Sequence, residues 1–238
     1  MKKINAAVLI TTANDPPLEM PYLAMKSAAE RRIAAKAALY FWASQGIQKI
    51  VLADATSSNL LSKKELEEVS LLGLKIEQIS YCQNSEDVVV KGKGYAEGEL
   101  IRFALNNSQL LENELTFYKS TGKTFVRNFP AIDELIRKVN AAILFWRHLG
   151  DGTSMQPWAD CRFYFTSKEF ALKELIQAYS QSDDAVAACE YYVFQILNRK
   201  LRKVNALRHQ ISGFEGGSGS QYFDGSLGSI DFGCPGWM

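Results

Sequence analysis

Apolar residues run unbroken from Ala6 to Ile10 in "AAVLITTAND" and stop at Thr11, Thr12, Asn14 and Asp15. A continuous apolar run closed by polar residues predicts a strand buried on both faces of a parallel sheet. After the Pro16–Pro17 turn, residues 22–46 are Ala-rich and amphipathic, a long helix with Gly46 as its C-terminal cap. "KIVLADATSS" is a second strand ending at Asp54, and "LSKKELEEVSLLG" a second helix, opened by Ser62 with Glu65 at capping-box spacing. "LKIEQISYC" is a third strand. This β-α-β-α-β order predicts an α/β, Rossmann-like, mostly parallel sheet flanked by helices, with polar loops gathered at the carboxyl ends of the strands.

Downstream, "EGELIRFALNNSQLL" has the helical period, and residues 115–140 read as strand, polar turn, short strand and helix. "AAILFWRH" and "CRFYFTSK" predict two further strands, and two helices follow over 168–180 and 184–204. Residues 1–210 form one domain on this reading. Residues 211–238 turn Gly/Ser-rich with scattered aromatics, a flexible loop or tail, or a lid that orders over a bound sugar.

Composition narrows the function. Of 238 residues, 47% are apolar and 22% charged, with a net charge of +1, so a sizeable core is expected and a broad nucleic-acid surface is not. Four dispersed cysteines without a CxxC pair argue against a zinc site. The N-terminal apolar run is too short for a signal core, and no stretch reaches the roughly 20 residues of a membrane span. A cytoplasmic protein is expected.

Two lysine–glycine turns carry the chemistry. In "KGKG", Lys91, Gly92, Lys93 and Gly94 stand before a helix, where free amide groups, the helix dipole and two cations suit a diphosphate. A solvated capping turn is the other reading, since the segment matches neither a Walker loop nor GxGxxG. Glu97 and Glu99 are either favourable first-turn charges or acceptors for sugar hydroxyls. The second turn, "KSTGK", sets Lys119, Thr121, Gly122 and Lys123 at a strand end, as a second phosphate grip or as a basic hairpin protecting a sheet edge.

"KGKGYAEGELIRFALNNS" followed by "FYKSTGKTFVRN" resembles the paired motifs of small bacterial glycosyltransferase-like proteins of surface-polysaccharide clusters. "VLITTA", Arg31–Arg32 and "DCRFYFTSKEF" also sit where that pattern puts them, over roughly residues 5–200. The resemblance implies a GT-A-like fold that binds a nucleotide sugar and extends a lipopolysaccharide or capsule glycan, with possible association at the inner membrane face. It departs in one respect: no Asp-x-Asp occurs. Lysine and arginine can stabilise a departing nucleotide in place of a cation, so no metal or other cofactor is expected. A non-catalytic nucleotide- or sugar-binding module and a nucleotidyltransferase are the alternatives.

The remaining candidates lie at strand ends and in one helix. Thr11, Thr12 and Asn14 suit a nucleoside pocket, and Asp54 either a ribose hydroxyl or a turn. Alternation along "DCRFYF" sends Asp160, Arg162 and Tyr164 to one face, making Asp160 a general-base candidate and Arg162 an acceptor-binding one, with a salt-bridged edge as the competing view. Glu190 is the sole acid in an apolar helical stretch and is either catalytic or paired with a buried arginine. Arg31, His148 and His209 carry less weight.

Overall fold

The computed structural model describes residues 4–16, 25, 27–148, 157–200, 209–214 and 221–222. Strands β1 (Ile4–Thr12), β2 (Ile47–Asp54), β3 (Lys75–Ser80), β4 (Thr116–Thr121) and, beyond a short β5 (Thr124–Val126) and the ribbon β6 (Arg147–His148)–β7 (Trp158–Ala159), β8 (Phe163–Ser167) define the sheets. The main sheet has the order β3-β2-β1-β4-β8. Its first four strands are parallel and β8 is antiparallel to β4. The expected α/β, Rossmann-like architecture with a mostly parallel sheet is therefore what the chain forms.

Alternation divides the core. Val8 and Ile10 of β1 face a cluster with Leu39 and Trp42 of α1 (Ala28–Ser44) and Phe129 and Ile132 of α5 (Phe129–Val139). Ala7 and Leu9 face the opposite cluster, with Leu100 and Ala104 of α4 (Lys93–Asn107), Tyr179 of α7 (Ile176–Ser180) and Val193 of α8 (Cys189–Lys200). Between β2 and β3 runs α2 (Lys63–Leu71), opened by the predicted Ser62–Glu65 capping box. α3 (Ser85–Lys91) precedes α4, and α6 (Lys168–Phe170) leads through a π-helical stretch, Ala171–Leu175, into α7.

Two expectations change, and the approach to the first lysine–glycine turn is helical. "AAILFWRH" is not a strand of the main sheet; only Arg147–His148 pairs, with β7, while Leu144 bridges to Phe165. "VVVK" belongs to α3, whose first turn is capped by Asn84. The segment expected to be a tail contributes β9 (Ile211–Phe214), antiparallel to β5, and β10 (Gln221–Tyr222), antiparallel to β9. The remainder of that segment, the proposed lid included, lies outside the described residues, as does the side chain of His148.

Candidate functional site

The connections diverge at β1 and β4: α1 carries the chain from β1 to β2 on one face, and α4 carries it from β3 towards β4 on the other. Open α/β sheets bind ligands in the crevice that such a divergence leaves at the carboxyl ends of the strands. Here Thr11 of β1 lies beside Thr121 of β4. The Gly122 amide donates to the Thr11 carbonyl at 2.9 Å. A Cβ on Gly122 would stand 2.4 Å from Thr12 Cγ2, so only glycine lets the β4–β5 turn close onto β1. Thr121 and Thr124 share a hydroxyl–hydroxyl bond of 2.6 Å.

Lys119 does not project from this turn. It points inward beside Phe117, and its side chain is 0% exposed. Its ammonium lies 2.7 Å from Glu97 Oε1 and donates to the Cys161 carbonyl at 2.6 Å. Thr11 Oγ1 donates to the same Glu97 oxygen at 2.7 Å. The expectation that Lys119 neutralises phosphate is corrected, because its charge is already matched and sealed from solvent. Glu97, with a side chain 21% exposed, is the member of this trio that solvent reaches most, held at the end of β1 by Thr11.

Asp54 is likewise occupied. Its Oδ2 accepts from Thr12 Oγ1 and the Asn14 amide, both at 2.9 Å. Its Oδ1 accepts from the amides and hydroxyls of Thr56 and Ser58, at 2.5 to 3.2 Å. Asp54 thus shapes the loops after β1 and β2, and the ribose role is corrected. Arg31 supports the same loop, donating to the Ala13 carbonyl at 3.0 Å and to the Met25 carbonyl at 2.6 Å. Burial lowers its pKa, while the Asp54 charge acts to raise it.

The first lysine–glycine corner is no phosphate loop. Lys91 ends α3 with its ammonium 4.2 Å from the centre of the Tyr95 ring, Gly92 alone links the helices with φ 89°, and Lys93 begins α4. The anion at that helix start is the protein's own: Asp184 Oδ2 accepts from the Lys93 amide at 2.9 Å. A Cβ on Gly94 would lie 2.4 Å from Ser182 Oγ, and one on Gly98 2.2 Å from Tyr179 Cβ. These glycines let α4 pack closely on α7 and the loop before α8. The corner therefore seats on residues 182–189, whereas "KSTGK" seats on the end of β1, and Glu97 is what joins the two regions.

Asp160 is 1% exposed and held from both sides. Arg162 grips both its oxygens at 2.9 and 2.6 Å, and His209 Nε2 lies 3.0 Å from Oδ2. Burial acts to raise its pKa, but Arg162 and His209 together hold it well below the usual carboxylate range. A general base must take up a proton, so this expectation too is corrected: Asp160 is a fixed anion anchoring Arg162 and the start of β9. The alternation holds for Tyr164 against Phe163 and Phe165 but fails at Cys161, which shares the Tyr164 cluster because β8 begins only at Phe163.

Glu190 lies in the first turn of α8, accepting from the Cys189 thiol at 3.2 Å. Burial raises its pKa, and the charges of Glu97 and Asp160 add to that effect. Cys161 and Cys189 are free thiols buried in the same cluster. Asp184 and the two cysteines were not legible as neighbours, since nothing local in the sequence joins segments so far apart. Among the described residues no three His, Cys, Asp or Glu side chains group as a metal site, and no helix is long and apolar enough to cross a membrane. A separate open cleft of about 660 Å³ lies by Arg32, Asn59, Ser62 and Gln78, where Arg32 is already engaged by Asp15 and the Asn59 carbonyl.

No family model and no curated protein matches the chain. Solved structures do. A protein named as a glucose-1-phosphate thymidylyltransferase from Bacillus anthracis, in complex with sucrose, has 8% identity and a TM-score of 0.48, covering 88% of this chain and 89% of its own. The inositol-1-phosphate CTP transferase of T. maritima has 10% identity and a TM-score of 0.45, with 84% of each chain covered. HddC from Yersinia pseudotuberculosis has 14% identity, a TM-score of 0.38 and coverage of 70% and 79%. Likeness at this level concerns layout and assigns no residue a role. The activities named among these structures are nucleotidyl rather than glycosyl transfers. The glycosyltransferase expectation is corrected at the site itself: Lys119, meant to grip the donor, is buried against Glu97, and the helix start meant for the diphosphate already holds Asp184.

Proposed function

We propose that the protein is a nucleotide-dependent transferase of the nucleotidyltransferase type, binding its nucleotide in the β1/β4 crevice and passing a nucleotidyl group to a phosphorylated acceptor. The observation that carries this reading is the state of the crevice carboxylates. Asp54 and Asp160 are committed through both oxygens, and Glu97 through one, to hydrogen bonds or cations within the protein. Activating a neutral hydroxyl calls for a free base. An acceptor phosphate brings its own charged oxygen, which attacks the α-phosphorus while the bond to pyrophosphate breaks, and the pyrophosphate leaves with its electrons. Such chemistry asks the protein mainly for positioning and charge.

Arg162, with a side chain 25% exposed and its guanidinium aligned by Asp160, stands beside the end of β4, where the Thr121 amide donates to its carbonyl, and is the phosphate contact this reading assigns. Reactions of this class commonly employ a divalent cation on the phosphates. The described residues do not assemble a site for one, and no step is assigned to it. Thermal shift with ATP, CTP, GTP, UTP and dTTP, each with Mg²⁺ or EDTA, followed by pyrophosphate release with a panel of sugar and polyol phosphates, tests the reading. A nucleotide response without turnover on any acceptor would favour the non-catalytic module instead.

A further inference from the structure

We propose that Lys119 is a positioning residue that, together with Thr11, locks one oxygen of Glu97 so that the other meets a hydroxyl of the acceptor. The inference rests on the reading above and adds that the acceptor is polyhydroxylated.

The geometry is asymmetric. Thr11 Oγ1 and Lys119 Nζ both converge on Glu97 Oε1, each at 2.7 Å. Glu97 Oε2 has no partner among the described residues, and this side chain retains access to the crevice. A carboxylate pinned through one oxygen cannot swing, so the direction of the second is preset before substrate arrives. Lys119 is pinned in its turn by the Cys161 carbonyl at 2.6 Å and lies 5.6 Å from the Tyr164 ring centre. Placing an ammonium in so dry a position is costly, and an apolar side chain would fill the same space without that cost. The arrangement is sensible where the orientation of Glu97 matters. A sugar or cyclitol hydroxyl donates a hydrogen bond, and the preset Glu97 oxygen is an acceptor for one.

Isothermal titration of the full chain tests this, with glucose 1-phosphate, myo-inositol 1-phosphate and glycerol 3-phosphate as probes and methyl phosphate as the control lacking hydroxyls. At least one polyol phosphate should bind tenfold or more tighter than methyl phosphate. Glu97→Gln should weaken that ligand about tenfold or more, the scale of a lost hydrogen bond to a charged group. It should leave methyl phosphate and the nucleotide unchanged. Lys119→Met should reproduce the selective loss, and a deoxy analogue lacking the contacted hydroxyl should bind wild type and Glu97→Gln alike. Glu97→Gln alone decides the matter if Lys119→Met fails to fold. The inference is overturned if no polyol phosphate outbinds methyl phosphate, if Glu97→Gln binds as wild type, or if the loss extends equally to methyl phosphate and nucleotide. Missing nucleotide binding with an intact hydroxyl preference would instead sink the proposed function.

Discussion

Lys119 and Glu97 stand 2.7 Å apart, the lysine wholly buried and the glutamate at the edge of the crevice, so a charge suited to phosphate serves as an internal counterion. Removing the glutamate leaves the lysine buried and unmatched, which costs about 3–5 kcal/mol. Glu97→Leu should show a loss of that size in urea unfolding, and Glu97→Leu with Lys119→Met should recover most of it. A double variant no more stable than the single one would show that the pair is not the unit.

Asp54 organises the loops above β1 and β2 through four residues. Asp54→Ala strands several donors at once and should cost about 3 kcal/mol or more, whereas Asp54→Asn keeps part of the network and should cost less. Denaturant midpoints of the two variants measure the difference.

Gly98 sits where a methyl group would meet Tyr179 Cβ at 2.2 Å. Gly98→Ala should destabilise by about 1–3 kcal/mol despite the better helix propensity of alanine, because α4 and α7 must be pushed apart. A neutral or stabilising result in thermal unfolding would contradict the close packing.

Asp160 and Glu190 give stability opposite slopes with pH. The folded pKa of Asp160 is depressed, so its contribution is present above the unfolded value of about 3.9 and is lost as pH falls below it. That of Glu190 is raised, chiefly by burial, so stability is lost as pH rises from about 4.3 through its folded pKa. Urea unfolding across pH should show Asp160→Asn flattening the acid limb. Glu190→Gln should gain on wild type as pH rises through that window.

The first two strands were legible because they hold unbroken apolar runs, and the helices because they carry the 3.6 period, as α2 shows with its capping box. Lys119 was misread although the signal was present: in "TFYKST" it alternates onto the same face as Phe117. "VVVKGKG" misled for another reason. Glycines and lysines ahead of a helix imitate a phosphate loop, yet an Asn84 cap opens α3 and Asp184 fills the start of α4. The Asp184 cap and the His209–Asp160 pair depend on contacts across 91 and 49 residues, which no local pattern encodes.

The central claim is that a nucleotide occupies the crevice between the ends of β1 and β4. Titrating the nucleoside triphosphates into wild type and into Arg162→Ala, with Mg²⁺ and again with EDTA, tests it most directly. The account predicts that one nucleotide binds wild type and that Arg162→Ala weakens it about tenfold or more while remaining folded. Equal affinity in the two proteins, or no nucleotide bound by wild type under either condition, would contradict it.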